Sequence, residues 1–326
     1  MALTTLVARR IDLYSLGCMA DVDPQARSLL EQWAAAPDAA HCGRARTVEA
    51  VRRDDQATVE LQAPAIPMHD VHDVSVPGGQ QELTARVYIP RRNASRTLLY
   101  LHGGGFVIGL GGYDEPLRRL ASASQWRVVA LHQRLAPEHP FPAAVDDAVL
   151  GVRWLHDQWV STGAGIESMP GIVGDSSGGT LAAAVTQQLT AEHVPIAFQV
   201  LIYPMLDALA ASRSYLNLGT GYGFTREKAL WYFDQYLPQG VDRRDPRISP
   251  LYGTVVQGLP RTLVITAECD PLRDEAVTYA QHLHEGGVHV EHWSYPGMIH
   301  GFFQMTGALD ASRRLHKELG AWIAAQ

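Results

Sequence analysis

Short apolar blocks alternate with amphipathic stretches along most of the chain. Residues 71–76 and 83–89 are rich in β-branched residues and flank Pro77-Gly78-Gly79, a pattern that predicts a hairpin. Residues 97–101, 128–131, 172–174, 198–203 and 262–267 are near-continuous apolar runs, and 288–295 reads as a last, more polar strand. Strands need such runs when both of their faces are covered. Between them lie helical patterns at 115–123, 142–159, 178–192, 274–286 and 308–325. Pro142 opens one of these, and Asp274 and Glu275 put negative charge in the first turn of another. Eight strands separated by helices predict an α/β fold with a mostly parallel sheet covered on both faces and an antiparallel hairpin at its edge.

Two regions fall outside this rhythm. Residues 1–60 are helical in pattern: Asp23-Pro24 opens a stretch with Ala26, Leu29, Leu30 and Trp33 on one face, and Pro37 closes it. Residues 205–259 carry no core strand but are rich in aromatic residues, among them Tyr215, Tyr222, Phe224, Trp231, Tyr232, Phe233 and Tyr236. A long aromatic insertion above a sheet predicts a lid or cap.

Composition narrows the function classes. The chain has 326 residues, 46% hydrophobic and 19% charged, which suits one large α/β domain and excludes general disorder. A net charge of −7 with scattered acids carries no nucleic-acid footprint. Cysteines at 18, 42 and 269 form neither a disulfide framework nor a CxxC motif, and they suit a reducing cytoplasm. No run is long enough for a membrane span, and Asp12 interrupts the short apolar stretch after Arg9-Arg10, so no signal peptide is expected. Lys228 and Lys317 are the only lysines, and neither stands in a GK[ST] context, which removes a P-loop.

The chemistry concentrates at strand ends. Gly174-Asp175-Ser176-Ser177-Gly178 follows a strand and opens a helix. A sharp turn there forces a strained serine, and side chains two residues to either side would collide. Gly174 and Gly178 meet that need around Ser176; around Ser177 the position two before is Asp175, so Ser176 is the better nucleophile. His102-Gly103-Gly104-Gly105-Phe106 follows another strand, and its glycines let backbone N–H groups turn toward a developing oxyanion. A dinucleotide loop is excluded because the third glycine of GxGxxG falls on Ile108. Of six histidines after the helix that follows the serine turn, only His300 sits in a loop just past a strand, between Gly297 and Gly301, which permit a tight, mobile loop. For the acid that orients it, Asp270 follows the strand at 262–267; Asp207 is the rival, and Asp274 and Glu275 read as helix first-turn acids.

These segments, with Arg134-Leu-Ala-Pro-Glu-His-Pro-Phe-Pro-Ala-Ala144, Asp270-Pro-Leu-Arg-Asp-Glu275 and His300-Gly-Phe302, resemble the hormone-sensitive-lipase family of α/β-hydrolases, the bacterial family IV carboxylesterases. The motifs run in the family order from 102 to 302. The resemblance implies an α/β-hydrolase fold with an eight-stranded, mostly parallel sheet and a helical cap built from 1–55 and 205–247. It implies a serine esterase acting on short- to medium-chain esters without metal or organic cofactor. Ser176, Asp270 and His300 are the implied triad, and the N–H groups of Gly104, Gly105 and Ser177 the implied oxyanion hole. Amide, lactone or carbonate hydrolysis uses the same parts, and the related plant gibberellin receptors keep the fold but lose the catalytic histidine. The family also implies pairing of two copies through the last strand.

Two departures stand out. His132-Gln133 replaces the usual Asp-Tyr before Arg134, which predicts altered packing under the glycine loop, and Ser177 replaces a commoner alanine, leaving a hydroxyl that can bind a water. The first 20 residues have no assigned role. His69-Asp70-Val71-His72-Asp73 lacks metal-site spacing and reads as a solvated strand face. Cys269 reads as a small buried filler, and Glu138 and Glu268 as groups that order the site from behind.

Overall fold

The computed structural model describes residues 21–35, 47–78, 82–162 and 169–326. The first 20 residues, Cys18, Cys42, Gly79 and part of the 1–55 segment lie outside them. Among the described residues, β1 (Asp70–Val76), β2 (Leu83–Ile89), β3 (Thr97–Leu101), β4 (Arg127–Leu131), β5 (Gly171–Asp175), β6 (Phe198–Ile202), β7 (Arg261–Cys269) and β8 (Val290–Ile299) form one sheet in the order β1-β2-β4-β3-β5-β6-β7-β8. The pairs β1/β2 and β2/β4 are antiparallel, and all the others are parallel. The helices are α1 (Pro24–Ala35), α2 (Val48–Asp54), α3 (Gln56–Val59), α4 (Asp114–Ser124), α5 (Ala143–Thr162), α6 (Ser177–Ala191), α7 (Arg213–Leu218), α8 (Arg226–Tyr236), α9 (Arg273–Glu285) and α10 (Asp310–Ala324).

Every residue of β3, β5 and β6 is buried, which explains their near-continuous apolar runs. Side chains still alternate between two cores. Leu99 and Leu101 join Ile172, Leu201 and Val264 on one face, while Leu98 and Tyr100 join Val173, Val200 and Ile202 on the other. The interval between β6 and β7 holds α7 and α8 and no strand, as its pattern predicts.

The last strand departs from the sequence reading. It starts at Val290, leaving His289 just ahead of it, and runs through Pro296-Gly297 to Ile299. Pro-Gly reads as a turn in sequence. Here a register shift opposite Ala267 and Cys269 absorbs it, and Cys269 pairs with Ile299. Gly297 has φ +70°, and its carbonyl accepts the Asp23 N–H at 3.0 Å. A side chain there would meet the Asp23 backbone at 2.6 Å. Its own N–H donates to Glu268 Oε2 at 2.8 Å. The segment before His300 is therefore clasped by the start of α1 and by Glu268, where the glycines alone suggested a mobile loop.

Candidate active site

β3 and β5 lie side by side, with Leu101 paired to Gly174, so the glycine loop and the serine turn leave the sheet together. Ser176 sits between β5 and α6 with φ +52° and ψ −120°, a strained conformation for a side-chain-bearing residue. The flanking glycines are sterically required. A Cβ at Gly174 would lie 2.2 Å from the Gly178 carbonyl oxygen, and one at Gly178 would lie 2.0 Å from the Leu101 oxygen. Both obstacles are backbone. Gly178→Ala is expected to cost more than about 4 kcal/mol of stability, read as a large fall in the urea midpoint or loss of soluble protein.

Asp270 directly follows β7 and His300 directly follows β8, and these strands are neighbours. The Ser176 Oγ–H donates to His300 Nε2 at 3.0 Å, and the His300 Nδ1–H donates to Asp270 Oδ2 at 2.8 Å. The other carboxylate oxygen of Asp270 accepts the Leu272 N–H at 2.9 Å. Asp270 is fully buried and Ser176 is 7% exposed. Asp207 is engaged elsewhere: its Oδ1 accepts the Leu209 N–H and the Tyr252 hydroxyl. Glu275 accepts the Leu206 N–H, and Asp274 pairs with Arg273.

Around the serine, N–H groups divide into two sets. Gly103 donates to Asp175 Oδ1 and to Tyr113 Oη, each at 2.9 Å, and Phe106 donates to Ser177 Oγ at 3.2 Å. The N–H groups of Gly104, Gly105 and Ser177, between and beside them, have no protein acceptor among the described residues. Gly104 and Gly105 have φ +98° and +61°, the left-handed region glycine reaches freely. Ser177 opens α6, where the helix end contributes partial positive charge. Its hydroxyl, by accepting the Phe106 N–H, ties the glycine loop to the serine turn.

The roles of Asp175, Tyr100 and Tyr113 beneath this loop escaped sequence reasoning. Asp175 is buried and accepts hydroxyl hydrogens from Tyr100 at 2.8 Å and Tyr113 at 2.9 Å, as well as the Gly103 N–H. Burial pushes its carboxyl up to about 6 although all three donors pull it down. The folded protein then holds a proton that the unfolded chain releases, so this group's contribution to stability declines as pH rises from about 4 to about 6 and is flat above. Asp175→Asn is expected to be less stable overall, yet to lose that negative slope of up to about 1.4 kcal/mol per pH unit. Urea titrations across this range measure it. Gln133, one of the two departures before Arg134, donates to the His102 carbonyl at 3.0 Å. Buried His102, with its Nδ1–H on the Gly103 carbonyl, is lowered to about 4 by burial and stays neutral. From α2, Arg52 donates to the carbonyls of Val107 and Ala136 and forks onto Glu138. The position of Asp175 inside the serine motif was the available signal for its bonds to the two tyrosines, whereas Tyr113 and Arg52 carry no motif.

Aromatic side chains close the site from the 205–259 interval. The Phe224 ring stacks on His300 with centroids 4.4 Å apart, and Tyr203 lies against the same imidazole at 4.8 Å. The Tyr232 ring covers Gly105, where a Cβ would sit 2.2 Å from it. The remaining sequence candidates are structural. Cys269 is buried, and burial pushes its thiol up to about 11. His72 meets Asp70 at 2.8 Å on an exposed strand face, and Asp73 pairs with Arg86 across the hairpin. Among the described residues no cluster could hold a metal ion, and no helix is long and apolar enough to cross a membrane.

Residues 98–304 match the family model for the alpha/beta hydrolase fold. The chain belongs to this α/β-hydrolase family. The match spans Ser176, Asp270, His300, the glycine loop and the groups beneath it except Arg52. The ethyl acetate hydrolase of Pseudomonas putida is 37% identical over 270 residues, covering 80% of this chain and 85% of that one. The arylacetamide deacetylase of Mus musculus is 28% identical and covers 79% of this chain and 81% of its own. Among solved structures, the hyperthermophilic esterase of Pyrobaculum calidifontis superposes with a TM-score of 0.87 at 35% identity, covering 93% of this chain and 98% of that one. These relatives fall in the hormone-sensitive-lipase-like branch that the sequence motifs resemble, and the chain is a carboxylic ester hydrolase of that branch.

Proposed function

We propose that this α/β-hydrolase cleaves short- to medium-chain carboxylic esters through a Ser176–His300–Asp270 triad and an acyl-enzyme. The single observation that carries the reading is the hydrogen-bonded chain from Ser176 to Asp270, set beside three N–H groups without protein acceptors among the described residues. Ser176 Oγ bonds to the ester carbonyl carbon as its proton passes to His300 Nε2. The carbonyl oxygen gathers negative charge and takes hydrogen bonds from Gly104, Gly105 and Ser177. Collapse breaks the carbon–oxygen bond, and His300 returns the proton to the departing alkoxide. Water then attacks the acyl-enzyme with His300 again as base, releasing the acid and restoring Ser176. Asp270 holds the imidazole in the tautomer with its proton on Nδ1 and stabilises the imidazolium.

Residues 1–55 and 205–247 act in this reading as the cap. The support is Arg52 under the glycine loop and Phe224 and Tyr232 over His300 and Gly105. We assign the protein to the cytoplasm, in keeping with the free, buried thiol of Cys269. The edge position of β8 is the surface through which two copies would pair. Hydrolysis of p-nitrophenyl esters from acetyl to palmitoyl tests the substrate range, with activity expected to peak at short or medium chains.

Amide hydrolysis is a second reading, favoured by the likeness to an arylacetamide deacetylase. An anilide that turns over at least as fast as its matched phenyl ester would move the assignment there; lactones and carbonates complete the panel. A receptor role requires that no substrate turn over at all.

A further inference from the structure

In the mechanism above, on which this inference rests, His300 Nε2 must hand its proton to the leaving alkoxide. The alcohol part of the ester therefore sits beside the imidazole, while the carbonyl oxygen is drawn toward Gly104, Gly105 and Ser177. Two aromatic rings from the 205–259 interval flank these two sides separately. Tyr232 lies on Gly105, on the oxyanion side. Phe224 lies on the imidazole itself, its plane within 30° of it. Phe224 is half-buried, whereas Tyr203, the other ring against His300, is fully buried.

The segment carrying Phe224 is held at both ends. The Arg226 N–H donates to the Gly219 carbonyl at 3.1 Å, closing a short loop. Thr225 caps α8 by accepting the Lys228 N–H, and Lys228 Nζ donates to the Gly223 carbonyl at 2.9 Å. Gly221 and Gly223 turn with φ +85° and +82°, and a Cβ at Gly223 would come within 3.0 Å of Trp33 on α1. The ring is thus delivered by a fixed support rather than by a free loop tip.

We propose that Phe224 is the wall of the leaving-group site and sets the enzyme's preference among alcohols, favouring flat aryl and benzyl leaving groups over flexible alkyl ones. A phenyl face offers an aromatic alcohol offset-stacked or edge-to-face contact, while a linear alkyl chain gains only contact area and loses rotamer freedom. Phe224 has no part in choosing the acyl chain. It is a specificity-determining residue and takes no proton.

The test measures kcat/KM for the wild type, Phe224→Leu and Phe224→Ala on two matched sets. One set holds the acyl group as acetyl and varies the alcohol among phenyl, benzyl, butyl and hexyl. The other holds p-nitrophenol and varies the acyl group from acetyl to octanoyl. Phe224→Ala is expected to lower the benzyl-to-hexyl ratio about tenfold, one good aromatic contact, with Phe224→Leu intermediate. The order of acyl preference stays as in the wild type. An equal loss on every substrate would overturn the proposal and leave Phe224 as packing for His300. So would a changed acyl order with an unchanged alcohol ratio. Far-ultraviolet circular dichroism checks that both variants are folded. Failure of the underlying reading shows differently: the wild type itself would then turn over none of these esters.

Discussion

Ser176→Ala is expected to lower kcat by about 10⁶-fold on every ester, with the melting temperature within about 5 °C of the parent. The loss is large because serine, histidine and aspartate act as a unit, and removing the nucleophile removes the acyl-enzyme route altogether. The fold should survive because what fixes the turn lies around Ser176 rather than in its hydroxyl. Gly174 and Gly178 permit the close backbone approach, and the Ser176 N–H donates to the Ile202 carbonyl at 2.9 Å. Its φ of +52° is a conformation alanine also adopts at some cost, but deleting one oxygen atom leaves little void. Turnover of p-nitrophenyl butyrate by the purified variant, beside its thermal melt, checks both halves. Ser177→Ala is the control. Its N–H is kept while its bond to the Phe106 N–H is lost, so its effect should be far smaller.

Asp270→Asn is expected to lower kcat by about 10⁴-fold. Asp270 uses both carboxylate oxygens, one on the Leu272 N–H and one on the His300 Nδ1–H. An asparagine that keeps its oxygen toward Leu272 must turn its amide N–H groups toward His300 Nδ1. Nδ1 then becomes the acceptor, the ring proton moves to Nε2, and Nε2 can no longer accept the proton of Ser176. The geometry would persist with the wrong tautomer. Asp207→Asn provides the contrast, since Asp207 binds Leu209 and Tyr252 rather than His300. It should lower stability and change kcat by less than about tenfold. A comparable loss in both variants would mean that the acid had been assigned to the wrong strand end.

The sheet was legible because buried parallel strands leave near-continuous apolar runs, and the runs at 97–101 and 198–203 match β3 and β6 within one residue. The serine turn was legible for a steric reason. Two glycines at fixed spacing are what the crowding at Leu101 and Gly178 demands. Asp270 and His300 could be placed because each directly follows a strand. What stayed hidden depends on neighbours distant in sequence. Pro296-Gly297 looks like a turn until Asp23 and Glu268 hold it in the strand. Tyr113 looks like any core tyrosine until it meets Asp175, 62 residues away. Phe224 was one aromatic among many, and nothing in its own segment says that its ring rests on His300.

In the proposed mechanism Ser176 Oγ is the atom that takes the acyl group. Reaction of the folded protein with a p-nitrophenyl alkylphosphonate tests it most directly, because the phosphorus center traps the nucleophile as a stable adduct. The account predicts one adduct per chain, release of one equivalent of p-nitrophenol, parallel loss of esterase activity, and a modified peptide that maps to Ser176. Modification at Ser177 or another residue, or full esterase activity in a protein that takes no label, would contradict it.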